Sequence, residues 1–206
     1  LHHLSHTDLD GYSCQMVSAH YFDSIQFYNS NYGKEINECF NQILATIQTS
    51  ASQKHIILIT DLNLTMDQAK EFESKVNICD KEIMMFVLDH HKTGQECADA
   101  FEWYFLDSSR CATKITYDFF SALYGKDEKL SKYVDVVNAV DIWLENEPEF
   151  ELGKVCMGLV SGAKEVNKVM FPDENSQYIF SLLNKAQEYF SCQEAHIALD
   201  DADRKS

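Results

Sequence analysis

Two prolines and seven glycines are few for 206 residues, and no Pro-, Gly- or Ser-rich tract interrupts the chain, which excludes long flexible linkers and low-complexity segments. No internal repeat is present either. Nowhere do the roughly 18 apolar residues that a membrane-spanning helix needs run together. The opening LHHLSHTDLDG also lacks the basic and apolar regions of a signal peptide. Cysteine pairs are missing: the seven cysteines (14, 39, 79, 97, 111, 156, 192) are odd in number and form no CxxC, so neither a disulfide framework nor a cysteine zinc site is indicated. A soluble protein of the reducing cytoplasm is the expectation. Basic residues are scarce, 17 against 33 acids for a net charge of −16. That balance opposes tight, nonspecific binding to a long polyanion such as duplex DNA. The sequence opens on Leu1 inside an apolar run rather than on methionine, so a trimmed N-terminus is expected.

What is present is a chain 45% hydrophobic, large enough for one good core but too short for two full domains. Short apolar runs alternate with helical patterns over roughly the first 125 residues. The predicted strands are 1–5, 24–28, 55–60, 83–88 and 103–106, rich in Ile, Leu, Phe and Val without polar alternation, as in a parallel sheet covered on both faces. Helical patterns fall at 12–22, 34–50, 65–76 and 109–124. The fold class is therefore α/β, a parallel sheet of about five strands with helices on both faces, followed by an all-helical part. In that part a stripe of Leu130, Val134, Val137, Val140 and Leu144 predicts a helix over 128–147, stopped by Pro148. Helices near 152–171 and 174–198 should follow. The terminal DDADRKS is polar and either frays or begins a linker.

Three of the apolar runs end in metal-ligand residue types: LHHLS runs into His6-Thr7-Asp8-Leu9-Asp10-Gly11, HIILIT into Asp61, and IMMFVL into Asp89-His90-His91. Ligands bind outside the carboxyl ends of strands in open α/β sheets, so the three termini can converge although they lie far apart in sequence. A fourth acid, Asp141, sits in the apolar stretch Val-Val-Asn-Ala-Val-Asp-Ile-Trp, where a lone carboxylate is costly unless paired or bound to a cation. Asp135, one to two turns earlier, is its rival. Imidazole with several carboxylates suits Mn²⁺ or a similar cation better than a thiolate-seeking one.

HTDLDG, ITDLN, DHH and NAVDIW, in this order, resemble the four successive motifs of the DHH phosphoesterases over about residues 6–141. DHH alone arises often by chance; the four together, each in its expected context, are specific. The resemblance implies a dinuclear site, usually manganese. In it His6 and Asp8 hold one ion, Asp10, His90 and Asp141 hold the other, and Asp61 bridges them. It also implies that His91 faces the substrate, giving a hydrogen bond to phosphate or a proton to the leaving oxygen, while Asp89 orients a ligand or the strand-end loop. Residues 1–147 would then be the catalytic core and 148–206 a helical extension of it, which either leads to a C-terminal substrate-binding domain or belongs to a protein that binds its substrate differently. That domain's glycine-rich, histidine-containing motif has no match here, where the last glycine is Gly162.

On this reading the partners are small nucleotidic substrates: short single-stranded RNA, linear dinucleotides or nucleoside bisphosphates. No long duplex and no membrane are expected. Inorganic pyrophosphatase is the related alternative, though in that relative three residues separate the first His from the first Asp, and only one separates His6 from Asp8. A single-strand DNA exonuclease is disfavoured by the negative charge, and a non-catalytic metal-stabilised scaffold by the complete ligand set. Elsewhere, Ser108, Ser109 and Arg110 precede a helix, where phosphate binding and plain capping both fit. Trp103, Tyr104, Phe119 and Phe120 read as core, the cysteines as small hydrophobes, and His2 and His3 carry no assigned chemistry.

Overall fold

In the computed structural model, which describes residues 1–170, 179 and 181–185, five parallel strands form one sheet. They are β1 (His2–Ser5), β2 (Gln26–Asn29), β3 (Lys54–Thr60), β4 (Glu82–Asp89) and β5 (Tyr104–Leu106), in the order β2-β1-β3-β4-β5. Each crossover carries a helix: α1 (Leu9–Tyr21), α2 (Lys34–Thr49), α3 (Met66–Asn77) and, after β4, a 3₁₀ turn (Lys92–Gly94) running into the short α4 (Gln95–Ala100). After the sheet come α5 (Ala112–Tyr124), α6 (Glu128–Asp141) and α7 (Phe150–Met170). The α/β class and the covered parallel sheet are as the sequence leads one to expect. The helix expected over 174–198 lies largely outside the described residues, and among the described residues no helix is long and apolar enough to cross a membrane.

Two apolar clusters, one on each face, explain why the strands read as continuous hydrophobic runs. Ile36, Phe40, Ile43, Leu44 and Ile47 recur at helical spacing along α2 and meet Leu4, Ile57, Ile59 and Val87 of the sheet, together with Phe72 of α3. Phe40 and Phe72 stack with ring centroids 3.7 Å apart, and both are fully buried. On the other face Leu58 and Leu88 meet α1 and α5, with α6 and α7 packed beyond them. Truncating Phe72 would leave a cavity too enclosed to fill, so Phe72→Ala is expected to cost about 3–5 kcal/mol, read as a shifted urea midpoint.

One boundary needs correction. The stripe predicts α6 to 147, but the helix ends at Asp141. The amide of Trp143 donates to Val140 O and that of Leu144 to Ala139 O, with Trp143 left-handed at φ 60°. These two bonds close the helix by satisfying its last carbonyls. Glycine usually takes this left-handed place, which is why Pro148 looked like the stop. The early ending puts Asp141 in the last turn of α6.

The chain order fixes where a site can form. From β1 the chain passes to β2 on one side, and from β3 onwards the strands are added on the other. The sheet thus has its switch point between β1 and β3, and a crevice opens at their carboxyl ends.

Candidate metal centre

His6 to Asp10 follow β1, and Asp61 follows β3, so both segments enter this crevice from its two walls. At the first turn of α1, Asp8 Oδ1 accepts the Gly11 amide at 3.0 Å as N-cap, while its Oδ2 lies 2.8 Å from His6 Nδ1. The turn is tight. A Cβ on Gly11 would meet His6 O at 2.3 Å, so only glycine lets α1 start this close to β1. Asp61 is left-handed at φ 54° and 2% exposed, a backbone state that Asp tolerates better than most residues. That turn aims its carboxylate across the crevice.

All six candidate ligands come together. Asp61 Oδ2 lies 3.7 Å from His6 Nδ1, and Asp61 Oδ1 lies 3.3 Å from His90 Nε2. The same His90 nitrogen is 3.7 Å from Asp10 Oδ2 and 3.6 Å from Asp141 Oδ2. One side of Asp61 therefore has His6 and Asp8, the other His90, Asp10 and Asp141. Asp135, the rival to Asp141, is turned away and pairs with Lys114.

Two buried carboxylate oxygens in this crevice, Asp61 Oδ2 and Asp141 Oδ2, have no hydrogen-bond partner. Leaving such atoms unsatisfied costs about 1–3 kcal/mol each. Divalent cations fit this donor set, because a cation would satisfy the orphaned lone pairs and relieve the repulsion among the acids. Charge tells the same story. Burial, then the neighbouring Asp10 and Asp8, push the Asp61 carboxyl well above the usual range; burial and Asp10 raise Asp141 likewise. Burial opposes a charge on His6, but the facing carboxylates of Asp61 and Asp8 outweigh it and raise its pKa to about 9.

Asp10 has a second task that its spacing does not reveal. Its two carboxylate oxygens accept the amides of Ala112 and Thr113 at 2.8 Å each, capping α5 from α1. The amide of Cys111 goes to Asn138 Oδ1 of α6, 2.9 Å away. One junction thus ties the start of α5 to both helices that carry ligands. It also corrects one sequence option: the N-terminus of α5 is filled by a carboxylate rather than open to phosphate, and Arg110 is held by Asp107 and Asp118.

Within the DHH triplet the neighbours diverge. His90 faces the carboxylates, whereas His91 Nδ1 bonds Asp89 Oδ1 at 2.7 Å and its Nε2 bonds the hydroxyl of Tyr32 at 3.0 Å. Asp61 Oδ1 is 4.0 Å from His91 Nδ1, but both ring nitrogens of His91 are already engaged. Asp89 is fully buried and accepts the amides of His90 and His91 as well as the hydroxyl of Tyr104 at 2.7 Å. A Cβ on Gly94 would meet that hydroxyl at 2.4 Å, so the 3₁₀ turn must approach as glycine. Burial works against charge on His91, yet the hydrogen bond and charge of Asp89 raise its pKa above the ordinary value.

Two tyrosines and a histidine escaped the sequence reading. Tyr104 supports Asp89 from β5. Tyr32 leans over His6 with ring centroids 4.6 Å apart and meets His91 edge-on at 5.6 Å. His3, fully buried in β1, joins Ser18 of α1 to Thr60 of β3 at 2.8 Å on each side, bracing the two strands that flank the crevice. A histidine directly preceding Leu4-Ser5-His6 is the one local signal that pointed to it.

The model of the DHH family, N-terminal domain, matches residues 3–139. This chain belongs to the DHH family. A 3',5'-cyclic-nucleotide phosphodiesterase from Helicobacter pylori (strain ATCC 700392 / 26695) is 43% identical over 209 residues, covering 98% of this chain and 60% of the relative. An uncharacterized protein from Helicobacter pylori G27, known as a crystal structure, is similar at TM-score 0.89 and 43% identity, over 97% of this chain and 60% of that one. The DHH chain described here thus spans about three-fifths of the length of these relatives.

Proposed function

We propose that this DHH domain is the catalytic part of a phosphodiesterase acting on small nucleotides through two divalent cations, with Mn²⁺ the best chemical match. One observation carries the reading: Asp61 turns one oxygen towards His6, which also meets Asp8, and the other towards His90, which also faces Asp10 and Asp141. On this assignment His6 and Asp8 hold one ion, His90, Asp10 and Asp141 the other, and Asp61 is shared. When bound, the pair supplies an acidified water as nucleophile and neutralises the charge of the phosphate. His91 presents Nε2 to the phosphoryl group or the leaving oxygen, and Asp89 fixes the ring that does so. No serine or cysteine nucleophile is needed. The net charge of −16 favours a small, locally held substrate over a long strand, and the cytoplasm remains the proposed location.

The test is hydrolysis by the full-length protein loaded with Mn²⁺, offered a 3',5'-cyclic nucleotide, a linear dinucleotide, a short RNA, a nucleoside bisphosphate and pyrophosphate. Turnover of one of the nucleotides is expected. Cleavage of pyrophosphate alone would make it a pyrophosphatase, and no turnover would favour a metal-stabilised scaffold.

A pH dependence follows from His6. With its pKa near 9 in the metal-free protein, the imidazole is charged at neutral pH, whereas a ligand nitrogen must be neutral. Binding at pH 7 should release at least one proton, and affinity should climb with pH until about 9. Calorimetry in buffers of different ionisation enthalpy reads this directly. A proton count of zero at pH 7 would contradict cation binding by His6, Asp61 and Asp141 together, since all three hold their protons more tightly than usual in the metal-free protein.

A further inference from the structure

His91 has one nitrogen that faces outward, and it is not open. Its Nδ1 is committed to Asp89, which is fully buried, while Nε2 meets the Tyr32 hydroxyl at 3.0 Å. Tyr32 belongs to the connection between β2 and α2, is 43% exposed, and brings its hydroxyl to His91 Nε2. The connection is anchored beside it rather than through it: Asn31 bonds Glu35 through its amide at 2.8 Å and accepts the hydroxyl of Thr7 at 3.1 Å. With Nδ1 donating to Asp89, the phenol O–H donates to Nε2. With the imidazole charged, Nε2–H donates to the phenol oxygen. In either state Tyr32 occupies the direction from which an oxygen of a substrate would have to approach.

We propose that Tyr32 is a substrate-displaced cover on His91: in the substrate-free protein its hydroxyl holds the place that a phosphoryl oxygen takes during the reaction. This rests on the phosphoesterase reading and deepens it. The phenol keeps the imidazole hydrogen-bonded and fixed in orientation between turnovers. The neutral phenol gives way to a charged oxygen, which makes the stronger bond. Tyr32 thereby selects against ligands that approach the crevice without an anionic oxygen to offer His91, since these would break the Tyr32–His91 bond without replacing it.

Inorganic phosphate is the probe, bound to the full-length, Mn²⁺-loaded protein and followed by calorimetry. Tyr32→Phe keeps the ring over His6 and removes only the competing hydroxyl. It should tighten phosphate binding by roughly two- to tenfold, the range of one net hydrogen bond. In a His91→Ala background the same change should shift phosphate affinity by less than about twofold, because the bond to be broken is already gone. Weaker phosphate binding in Tyr32→Phe would make the hydroxyl a substrate contact and overturn the proposal. Equal affinity in Tyr32→Phe and the parent would overturn it as well, while leaving the phosphoesterase reading intact. If the parent binds metal but no phosphate, both fall together.

Discussion

His91→Ala is expected to keep its bound metal and to lose turnover on the order of 10²–10⁴-fold, the range for removal of a general acid. His90→Ala should lower metal content and turnover together. Adjacency makes this contrast sharp. Consecutive side chains at a strand end point in different directions, and here they do: His90 Nε2 is within 3.7 Å of three carboxylates, while His91 is held between Asp89 and Tyr32. Metal analysis of both purified variants beside their rates decides the matter. A loss of metal in His91→Ala with full retention in His90→Ala would reverse the assignment.

Asp61→Asn should be the most damaging single ligand change, costing more metal than Asp8→Ala or Asp141→Ala and lowering turnover by at least the order of 10²–10³-fold expected when one preorganised electrostatic contact is lost. Asparagine is the informative replacement because it tolerates the left-handed backbone of Asp61 and so isolates the charge. The same variant has an opposite signature without metal. Asp61 is buried against Asp10 and Asp8, whose charges disfavour its ionised form, so neutralising it should leave the metal-free fold as stable as the parent or more so. Equal residual metal in all three variants would argue against a shared ligand.

The strands and the residues at their ends were legible because a parallel strand buried on both faces is a continuous apolar run that stops abruptly, and the stop is where the chemistry sits. His6, Asp61 and Asp89-His90-His91 each mark such a stop. Asp141 was harder, because a helical acid looks the same whether it faces solvent or a crevice; the Asp135–Lys114 pair that separates the two depends on residues about twenty positions apart. Tyr104 and Tyr32 were not legible at all, and His3 only as a histidine close to the strand end. Each acts through partners brought together by the sheet order, and aromatic or imidazole residues in apolar surroundings read as core. The double use of Asp10, with its oxygens capping α5 about a hundred residues later, leaves no trace in spacing. The turn that ends α6 was hidden because tryptophan stands where glycine signals a stop.

Metal content bears most directly on the account, measured on the full-length protein before and after exhaustive dialysis against EDTA and again after Mn²⁺ is restored, with phosphodiester hydrolysis followed in each sample. A pair of ions per chain, loss of hydrolysis with loss of metal, and recovery of both on adding Mn²⁺ is the predicted result. Undiminished turnover in the EDTA-dialysed protein would contradict it.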